Sequence, residues 1–242
     1  MKGLLVRVAA DQSEGGGEWN GPIKKETGEF VYVPIPEDCC TKPGLEKPFT
    51  LVQPFLTAFG RPLPRWLEEQ CMHLDPDFFH LTYGDGGSRA KQIRGKLAAG
   101  DILVFYSALC NPENPRPLVY AIIGLYVIES TKCASEVCKE RADENAHTRR
   151  MNPRDGDIVV YARHNVSGRL ERCMLIGEYR INAGENRKGT YRVTKELLRA
   201  WGDIDVKDGY LKRSGRLQQF CDAERFYRWF KDQKPSLVDR NN

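Results

Sequence analysis

The chain has 242 residues, of which 40% are hydrophobic and 29% are charged, and its formal net charge is +4. These proportions are typical of a globular protein, and they exclude a disordered chain or a coiled coil as the main structure. No apolar run approaches the roughly 18 residues that a membrane span needs, so the sequence predicts a soluble cytoplasmic protein without a membrane segment.

The eight cysteines do not form a zinc-binding pattern. The nearest pairs, Cys39 with Cys40 and Cys133 with Cys138, lack the two-residue gap of a zinc knuckle. We expect free thiols, most of them packed as small apolar residues in the core.

The positive charge is concentrated in one part of the chain. Residues 141–200 contain 13 Lys and Arg against 8 Asp and Glu, a local excess of +5. Such an excess predicts a phosphate-bearing partner, a nucleotide or DNA, although a solvated face of mixed charge has the same composition.

The N-terminal part contains two predicted strands and a long irregular segment. Residues 3–10 form the first strand, and the Gly15-Gly16-Gly17 loop follows it. Residues 30–33 form the second strand, which Pro34 ends. The prolines of residues 37–65 predict an irregular lid or wrapping segment.

Two helices and a strand are predicted next. The first helix covers residues 64–73 and turns Trp66, Leu67 and Cys71 inward. The second covers residues 88–99, with Ser88 as its N-cap, and leads into a strand at 101–106.

The longest apolar segment, residues 118–128, predicts a central strand with a bulge at Gly124, because it is rich in β-branched and aromatic residues. The remaining elements are a helix at 133–144, a strand at 157–161, a short helix capped by Ser167, and helices capped by Thr194 and Asp222.

Strands and helices are interspersed without a regular βαβ alternation. The pattern predicts a single α+β domain over residues 1–242 with a mixed β-sheet, interspersed helices and a Pro-rich N-terminal loop region. Residues 233–242 are expected to form a flexible tail.

Three polar groups are candidates for a functional site. The first is Asp11, which ends a strand before a glycine-rich loop, a position where sheets often hold ligands. Trp19 and Asn20 then offer a stacking surface and an amide for a base. Alternatively, Asp11 only forms the turn.

The second group lies in residues 73–85, which contain an imidazole, several carboxylates and a phenol. Such loops serve in acid and base catalysis or in polar recognition, and we expect Asp75 to be catalytic and Tyr83 and Asp85 to bind substrate. Asp75 also precedes a proline, so a turn-forming role is the alternative.

The third group surrounds His147. Histidine beside paired arginines suits an anionic ligand, since guanidinium groups bind phosphate with two hydrogen bonds. A solvated basic loop is one alternative, and a metal held by His147 and His164 is another, but no recognised ligand spacing supports a metal site and none is expected. The substrate-binding candidates of this group are Arg149, Arg150, His164, Ser167 and Arg169.

Several common enzyme classes are excluded. The chain contains no Gly-x-Ser-x-Gly elbow, no His-Glu-x-x-His helix, no zinc deaminase signature and no protein-kinase motifs. The glycine-rich loop is neither a P-loop nor a dinucleotide fingerprint.

A set of strings runs along nearly the whole chain: Asp11-Gln12-Ser13, residues 28–37, His73-Leu74-Asp75-Pro76, Thr82-Tyr83-Gly84-Asp85, residues 100–106, Asn145-Ala146-His147 and Ser167-Gly168-Arg169-Leu170. These strings, in this order, resemble the nucleotide modification associated domain 3 family. The cysteine-rich stretch 133–141 has no counterpart there.

The resemblance implies a role, in phages or bacteria, in making or handling modified and hypermodified bases of DNA. It does not define the reaction or a cofactor. It implies a shared pocket lined by Asp11, Asp75, Tyr83, Asp85, Tyr106, His147 and Ser167.

The resulting hypothesis is an enzyme that acts on a nucleotide or DNA base, with Asp11, Asp75 and His147 as catalytic residues. The alternative is a non-catalytic reader that binds a modified base by stacking on Trp19, Tyr83 or Tyr106. A third hypothesis is a sensor of a small molecule or a partner protein.

Overall fold

The structure is a computed structural model that describes residues 1–10, 19–181, 189–211 and 215–242, except for the side chains of Glu178 and Ile181. In these residues eight strands form one mixed sheet, and six more form three two-stranded pairs. The strands are β1 Gly3–Arg7, β2 Ile23–Lys24, β3 Glu29–Phe30, β4 Ile35–Pro36, β5 Met72–His73, β6 Thr82–Asp85, β7 Ile102–Leu109, β8 Val119–Cys133, β9 Ile158–Ala162, β10 Gly168–Leu175, β11 Gly177–Ile181, β12 Gly189–Val193, β13 Gln218–Gln219 and β14 Leu237–Val238.

The helices are short and lie between the strands, so the chain has an α+β fold with a mixed sheet, as predicted. None of the helices in the described ranges has the length and apolar character that crossing a membrane requires. The α-helices are α1 Gln53–Ala58, α2 Arg65–Glu68, α3 Gly87–Lys96, α4 Ala146–Arg149, α5 Lys195–Trp201 and α6 Ala223–Asp232, and the 3-10 helices are Phe49–Val52, Ala134–Glu136, Lys139–Glu144 and Lys207–Gly209.

The main sheet is organised around β8. Its central strands run in the order β13, β1, β7, β8, β10, β14, and β1 is parallel to β7 while the other pairs are antiparallel. The second half of β8 continues past β10 and pairs with β9, which pairs with β6. The predicted central strand is therefore confirmed, and it is longer than the apolar run alone.

Two core clusters cover the two faces of the sheet. Leu4 and Val6 of β1 belong to the cluster that includes Ile93 of α3. Leu5 belongs to the opposite cluster, with Trp201 of α5. Side chains alternate between the faces of a strand, so β1 can be fully buried only because both faces are covered.

Gly124 lies at an irregularity in the pairing of β7 with β8, as predicted. The register shifts between Phe105 and Tyr106, which leaves Ile123 as the extra residue. The ring of Phe78 packs over Gly124, where a Cβ atom would lie 2.5 Å from that ring.

Two of the four predicted N-caps are confirmed. The side chain of Thr194 accepts a hydrogen bond from the Leu197 N–H, and that of Asp222 accepts one from the Arg225 N–H. The other two predictions are wrong. Gly86 is the N-cap of α3, so the helix begins before the predicted cap at Ser88.

Ser167 does not start a helix either. It precedes strand β10, and its Oγ accepts a hydrogen bond from the backbone N–H of Val127 at 2.9 Å. The hydroxyl group therefore links the residue before β10 to strand β8. Serine is a common N-cap of helices, but here its side chain bonds to the backbone of a strand instead.

The predicted helix at 64–73 is shorter in the structure. Only α2 is helical, and His73 is extended because β5 pairs with Ile35 of β4. Trp66 is exposed, so its predicted inward orientation is wrong, whereas Leu67 is buried as predicted. The segment 37–65, expected to be irregular, contains one 3-10 helix and α1.

The other local differences are smaller. In the predicted strand 30–33 only Phe30 has ladder pairing, although Val31 to Val33 are buried. The predicted helix 133–144 consists of two 3-10 helices.

The C-terminal residues pack against the domain instead of forming the expected flexible tail. Strand β14 pairs with β10. Asn241 accepts a hydrogen bond from the Phe78 N–H, and Asn242 exchanges two hydrogen bonds with the backbone of Tyr32.

The eight cysteines all lie in described residues and are free thiols. Only Cys110 and Cys173 are buried, so the expectation that most of them pack in the core is wrong. Burial raises the pKa of the Cys173 thiol to about 12.

We expect Gly124→Ala to lower the free energy of unfolding by about 1–3 kcal/mol, because the new methyl group overlaps Phe78. Gly95→Ala in α3 is the matched control, since open space surrounds that position, and it should raise stability by about 0.5–1 kcal/mol. Urea unfolding measures both values. Equal effects of the two substitutions would contradict the packing of Phe78.

We expect alkylation of Cys173 at pH 8.5 to be at least about 100-fold slower than that of exposed Cys40, because the thiolate is the reactive form and the raised pKa keeps the buried group protonated. Peptide mass spectrometry after timed labelling measures the ratio, and labelling in urea should make the two rates similar. Equal rates in the native protein would disprove the burial of this thiol.

Candidate functional site

A polar cavity of about 190 Å³ lies at the carboxyl end of β1. Its volume corresponds to about six water molecules at about 30 Å³ each, which is enough for a small polar group or a single ring system. A larger cavity of about 350 Å³ elsewhere has no comparable cluster of histidines and carboxylates. The lining residues are Arg7, Val8, Ala9, Ile35, His73, Asp75, Tyr83, Gly84, Asp85, Arg89 and His147.

Two histidines and one aspartate converge in this cavity. The Nε2 atom of His73 lies 3.8 Å from Oδ2 of Asp75, and the Nε2 atom of His147 lies 3.7 Å from the same oxygen. The two imidazole rings are nearly perpendicular, with centroids 5.0 Å apart. All three residues are more than nine-tenths buried.

The opposite nitrogen of each ring contacts a carboxylate. His73 Nδ1 lies 2.6 Å from Oε2 of Glu37, and His147 Nδ1 lies 2.6 Å from Oδ2 of Asp157. A carboxylate accepts but does not donate when it is ionised, so each Nδ1 is the donor. The Nε2 atom of each ring is then the nitrogen that lies near Asp75.

Arg150 connects the two carboxylates behind the rings. Its guanidinium donates to Glu37 Oε1 at 3.1 Å and to Asp157 Oδ2 at 3.2 Å. Burial raises the pKa of both carboxyl groups, but the hydrogen bonds from the histidines and the charge of Arg150 outweigh burial and leave each pKa below its ordinary value.

Asp75 has a different environment. Its Oδ1 accepts hydrogen bonds from the Gly84 N–H at 2.8 Å and from the amide of Asn145 at 3.2 Å. In the described part of the chain, no Lys or Arg lies within ion-pair distance of it. Burial raises the pKa of Asp75 to about 7, and it lowers the pKa of His73.

The local sequence explains the position of His147. Asn145 is the N-cap of α4, and its Oδ1 accepts a hydrogen bond from the His147 N–H. The ring then lies against Gly84 of β6, where a Cβ atom would be only 2.3 Å from the imidazole Cδ2. The glycine is thus required for the ring to reach the cavity.

The side chains of Tyr83, Asp85 and Arg89 form the other wall of the cavity. The Tyr83 hydroxyl donates to Asp85 Oδ2 at 2.5 Å, and Arg89 donates to the Tyr83 oxygen at 2.8 Å. Arg89 also pairs with Asp85 at 2.9 Å. Burial raises the pKa of Tyr83 well above its ordinary value, so the phenol is a hydrogen-bond donor at neutral pH.

The structure brings four of the predicted site residues together in this cavity: Asp75, Tyr83, Asp85 and His147. Asp11, the remaining predicted catalytic residue, lies outside the described residues.

Three predicted contacts for a base lie outside the cavity lining. Trp19 is buried in a core cluster of the N-terminal segment, with the guanidinium of Arg61 over its ring. Asn20 donates to the Ala108 carbonyl. Tyr106 is buried in the cluster on the opposite face of the sheet from Tyr83.

The two arginines expected to bind an anion are buried in ion pairs. Arg149 contacts the carboxylates of Asp77 and Asp143. Arg150 holds the two carboxylates behind the histidines, as described above. Neither guanidinium lines the cavity.

The last three candidates lie elsewhere. His164 and Ser167 line a separate cavity of about 140 Å³. Arg169 donates to the carbonyl groups of Leu170 and Arg240, and burial lowers its pKa to about 10. They are therefore not part of the site around Asp75.

Sequence reasoning did not select five residues that build the site: Glu37, His73, Arg89, Asn145 and Asp157. His73 stood in the run that drew attention to Asp75, and Asn145 stood two residues before His147. The sequence indicated only that Asp157 belongs to a turn before a strand. No signal connected Glu37 or Arg89 with the site, because their partners are distant in sequence or belong to another element.

Comparisons with known proteins give one match. A family model described as nucleotide modification associated domain 3 matches residues 2–222. No curated protein and no solved structure matches the chain.

We expect long-range ¹H–¹⁵N spectra of the imidazole rings to show His73 and His147 protonated at Nδ1, because a carboxylate accepts from each of these atoms. Asp157→Asn should alter the signals of His147 more than those of His73, and Glu37→Gln should do the reverse. The exposed ring of His164 is the internal control. Protonation at Nε2 with Nδ1 unprotonated in both buried rings would contradict the geometry.

Proposed function

The chain belongs to the nucleotide modification associated domain 3 family, and from this premise we propose that it is an enzyme that modifies a nucleotide or a base in nucleic acid. Its active site is the cavity at His73, Asp75 and His147. The reacting part of the substrate enters this cavity.

The observation that carries the proposal is the convergence of buried polar groups on one small cavity. Burying a carboxylate without a cationic partner costs stability, and such groups concentrate where chemistry requires them. Asp75 is buried with two imidazole Nε2 atoms facing it, and a second layer of carboxylates orients both rings. A purely structural role explains neither the empty space nor the direction of the rings.

The size of the cavity supports a nucleotide-like substrate. The volume accommodates a base or another small polar group, while a sugar and phosphate remain outside it. Arg7 and Arg89 line the same cavity in place of the expected Arg149 and Arg150, but Arg89 pairs with Asp85 and the guanidinium of Arg7 lies against Tyr120.

The reader hypothesis has less support. It requires exposed aromatic rings on which a base stacks. The side chains of Trp19, Tyr83 and Tyr106 are all buried, and each packs within a core cluster. We therefore favour chemistry on the substrate over recognition by stacking.

The test compares nucleosides from total DNA and RNA of the native source by mass spectrometry. Four strains carry the natural gene, no gene, Asp75→Asn or the matched control Asp232→Asn, whose side chain is exposed on α6. We expect one nucleoside to disappear without the gene and with Asp75→Asn, and to be retained at its natural level with Asp232→Asn.

Two results would overturn the proposal. Identical nucleosides in all four strains would favour the reader or sensor hypotheses, with salt-dependent binding to DNA as the distinguishing assay. A nucleoside that is lost without the gene but retained with Asp75→Asn, at equal protein abundance, would place the chemistry outside this cavity.

A further inference from the structure

We propose that His73, Asp75 and His147 bind one divalent transition-metal ion through His73 Nε2, Asp75 Oδ2 and His147 Nε2. The site is the one to which the proposed function assigns its chemistry, so the inference deepens that proposal. The binding of the ion is nevertheless measurable without any substrate.

The donor set is the first argument. Two imidazole nitrogens and one carboxylate oxygen form the ligand set of catalytic zinc sites and of non-haem iron(II) sites, which leave further coordination positions open. The three ligand atoms of His73, Asp75 and His147 all lie within 4.8 Å of one another. Ligands on tetrahedral zinc lie about 3.3 Å apart, so the nitrogen-to-oxygen distances of 3.7 and 3.8 Å need only small side-chain rotations.

The outer hydrogen bonds are the second argument. Histidines that bind a metal usually donate their other ring N–H to a carboxylate or carbonyl, which fixes the tautomer and the ring direction. Both His73 and His147 do so, to Glu37 and Asp157 respectively. In the described ranges, neither Nε2 has a protein partner within hydrogen-bond distance, so each of these nitrogens is accessible to an ion.

The local charge is the third argument. Glu37 and Asp157 share the positive charge of Arg150, and Asp85 is paired with Arg89. Among the residues that the structure describes, Asp75 receives hydrogen bonds from neutral groups alone, the backbone N–H of Gly84 and the amide of Asn145. A bound cation supplies the opposite charge at this position.

The cavity is the fourth argument, because it lies directly beside the three ligand atoms. A metal held by three side chains keeps open positions for water or for a substrate atom. The mixed nitrogen and oxygen donors favour Zn²⁺, Fe²⁺ or Co²⁺ over Mg²⁺ and Ca²⁺, which prefer oxygen ligands alone.

The test uses the full chain, stripped with a chelator and titrated with Co²⁺ or Zn²⁺ in the absence of nucleotide. Isothermal titration calorimetry gives the stoichiometry and affinity, and the visible absorption of Co²⁺ reports the ligand geometry. We expect one ion per chain. Asp75→Asn should weaken binding at least about 100-fold, and Asp157→Asn about 10- to 100-fold, because its carboxylate orients a ligand.

Two variants serve as controls. Asp232→Asn is the matched aspartate control, and His164→Ala removes an exposed histidine of a separate cavity. Both should bind one ion with the affinity of the natural chain. No stoichiometric uptake by the natural chain, or equal affinity of the Asp75→Asn variant, would overturn the inference.

A second measurement needs no substitution and so does not depend on the folding of a variant. Adding one equivalent of Zn²⁺ to the natural chain should shift the Nε2 resonances of His73 and His147 and leave those of His164 unchanged. Shifts confined to other histidines would place the ion elsewhere and contradict the proposed ligands.

The two proposals fail separately. Binding of the ion at His73, Asp75 and His147, together with unchanged nucleosides in the deletion strain, would support the metal site and reject the proposed function. A nucleoside lost in the deletion and Asp75→Asn strains, together with no uptake of any ion by the purified chain, would support the function and reject the metal site.

Discussion

The candidate site depends on the ion pairs of Arg150. Its guanidinium joins Glu37 to Asp157, and these two carboxylates orient the two histidines. Arg150 and Glu37 are 113 positions apart in the sequence, so one buried cation connects the N-terminal segment with the start of β9. Removing it would leave two carboxylates buried close together, an arrangement that is strongly unfavourable at low dielectric constant.

This arrangement separates the charged groups into two layers. The outer layer, with Arg150 and its two carboxylates, is locally balanced and holds the rings in place. The inner layer contains Asp75 and the Nε2 atoms, and hydrogen bonds from neutral donors stabilise the carboxylate. The polar groups that face the cavity are thus oriented before a ligand arrives, which lowers the cost of binding it.

The elements that sequence reasoning predicted well are those that local physical chemistry determines. The apolar run of β8 and the caps at Thr194 and Asp222 depend on neighbouring residues, and all three predictions are confirmed. The helix predicted at 64–73 was too long because β5 pairs with β4 and His73 is therefore extended. The local sequence pattern does not reveal this pairing, because β4 is distant in the sequence. Ser167 is of a residue type that often caps helices, but its hydroxyl accepts a hydrogen bond from Val127 of β8.

The sequence predicted the chemical groups of the site, but it did not predict which side chains contact one another. The residue types around Asp75 and His147 indicated polar chemistry, and the structure brings the two together. The arginines next to His147 suggested an anion site, but carboxylates far along the chain neutralise them. His147 also lies beside His73, and hydrogen bonds between residues distant in sequence, such as the one from Asn145 to Asp75, join these segments.

The hydrogen bond between Asn145 and Asp75 spans 70 positions of the chain. Closing a loop costs conformational entropy that grows with the logarithm of its length, and a site assembled from such distant segments has no local fragment that forms early. The cavity therefore forms only when both segments have reached their native positions. A ligand that binds there favours the folded state over the unfolded one, so its binding free energy adds to the stability of the domain.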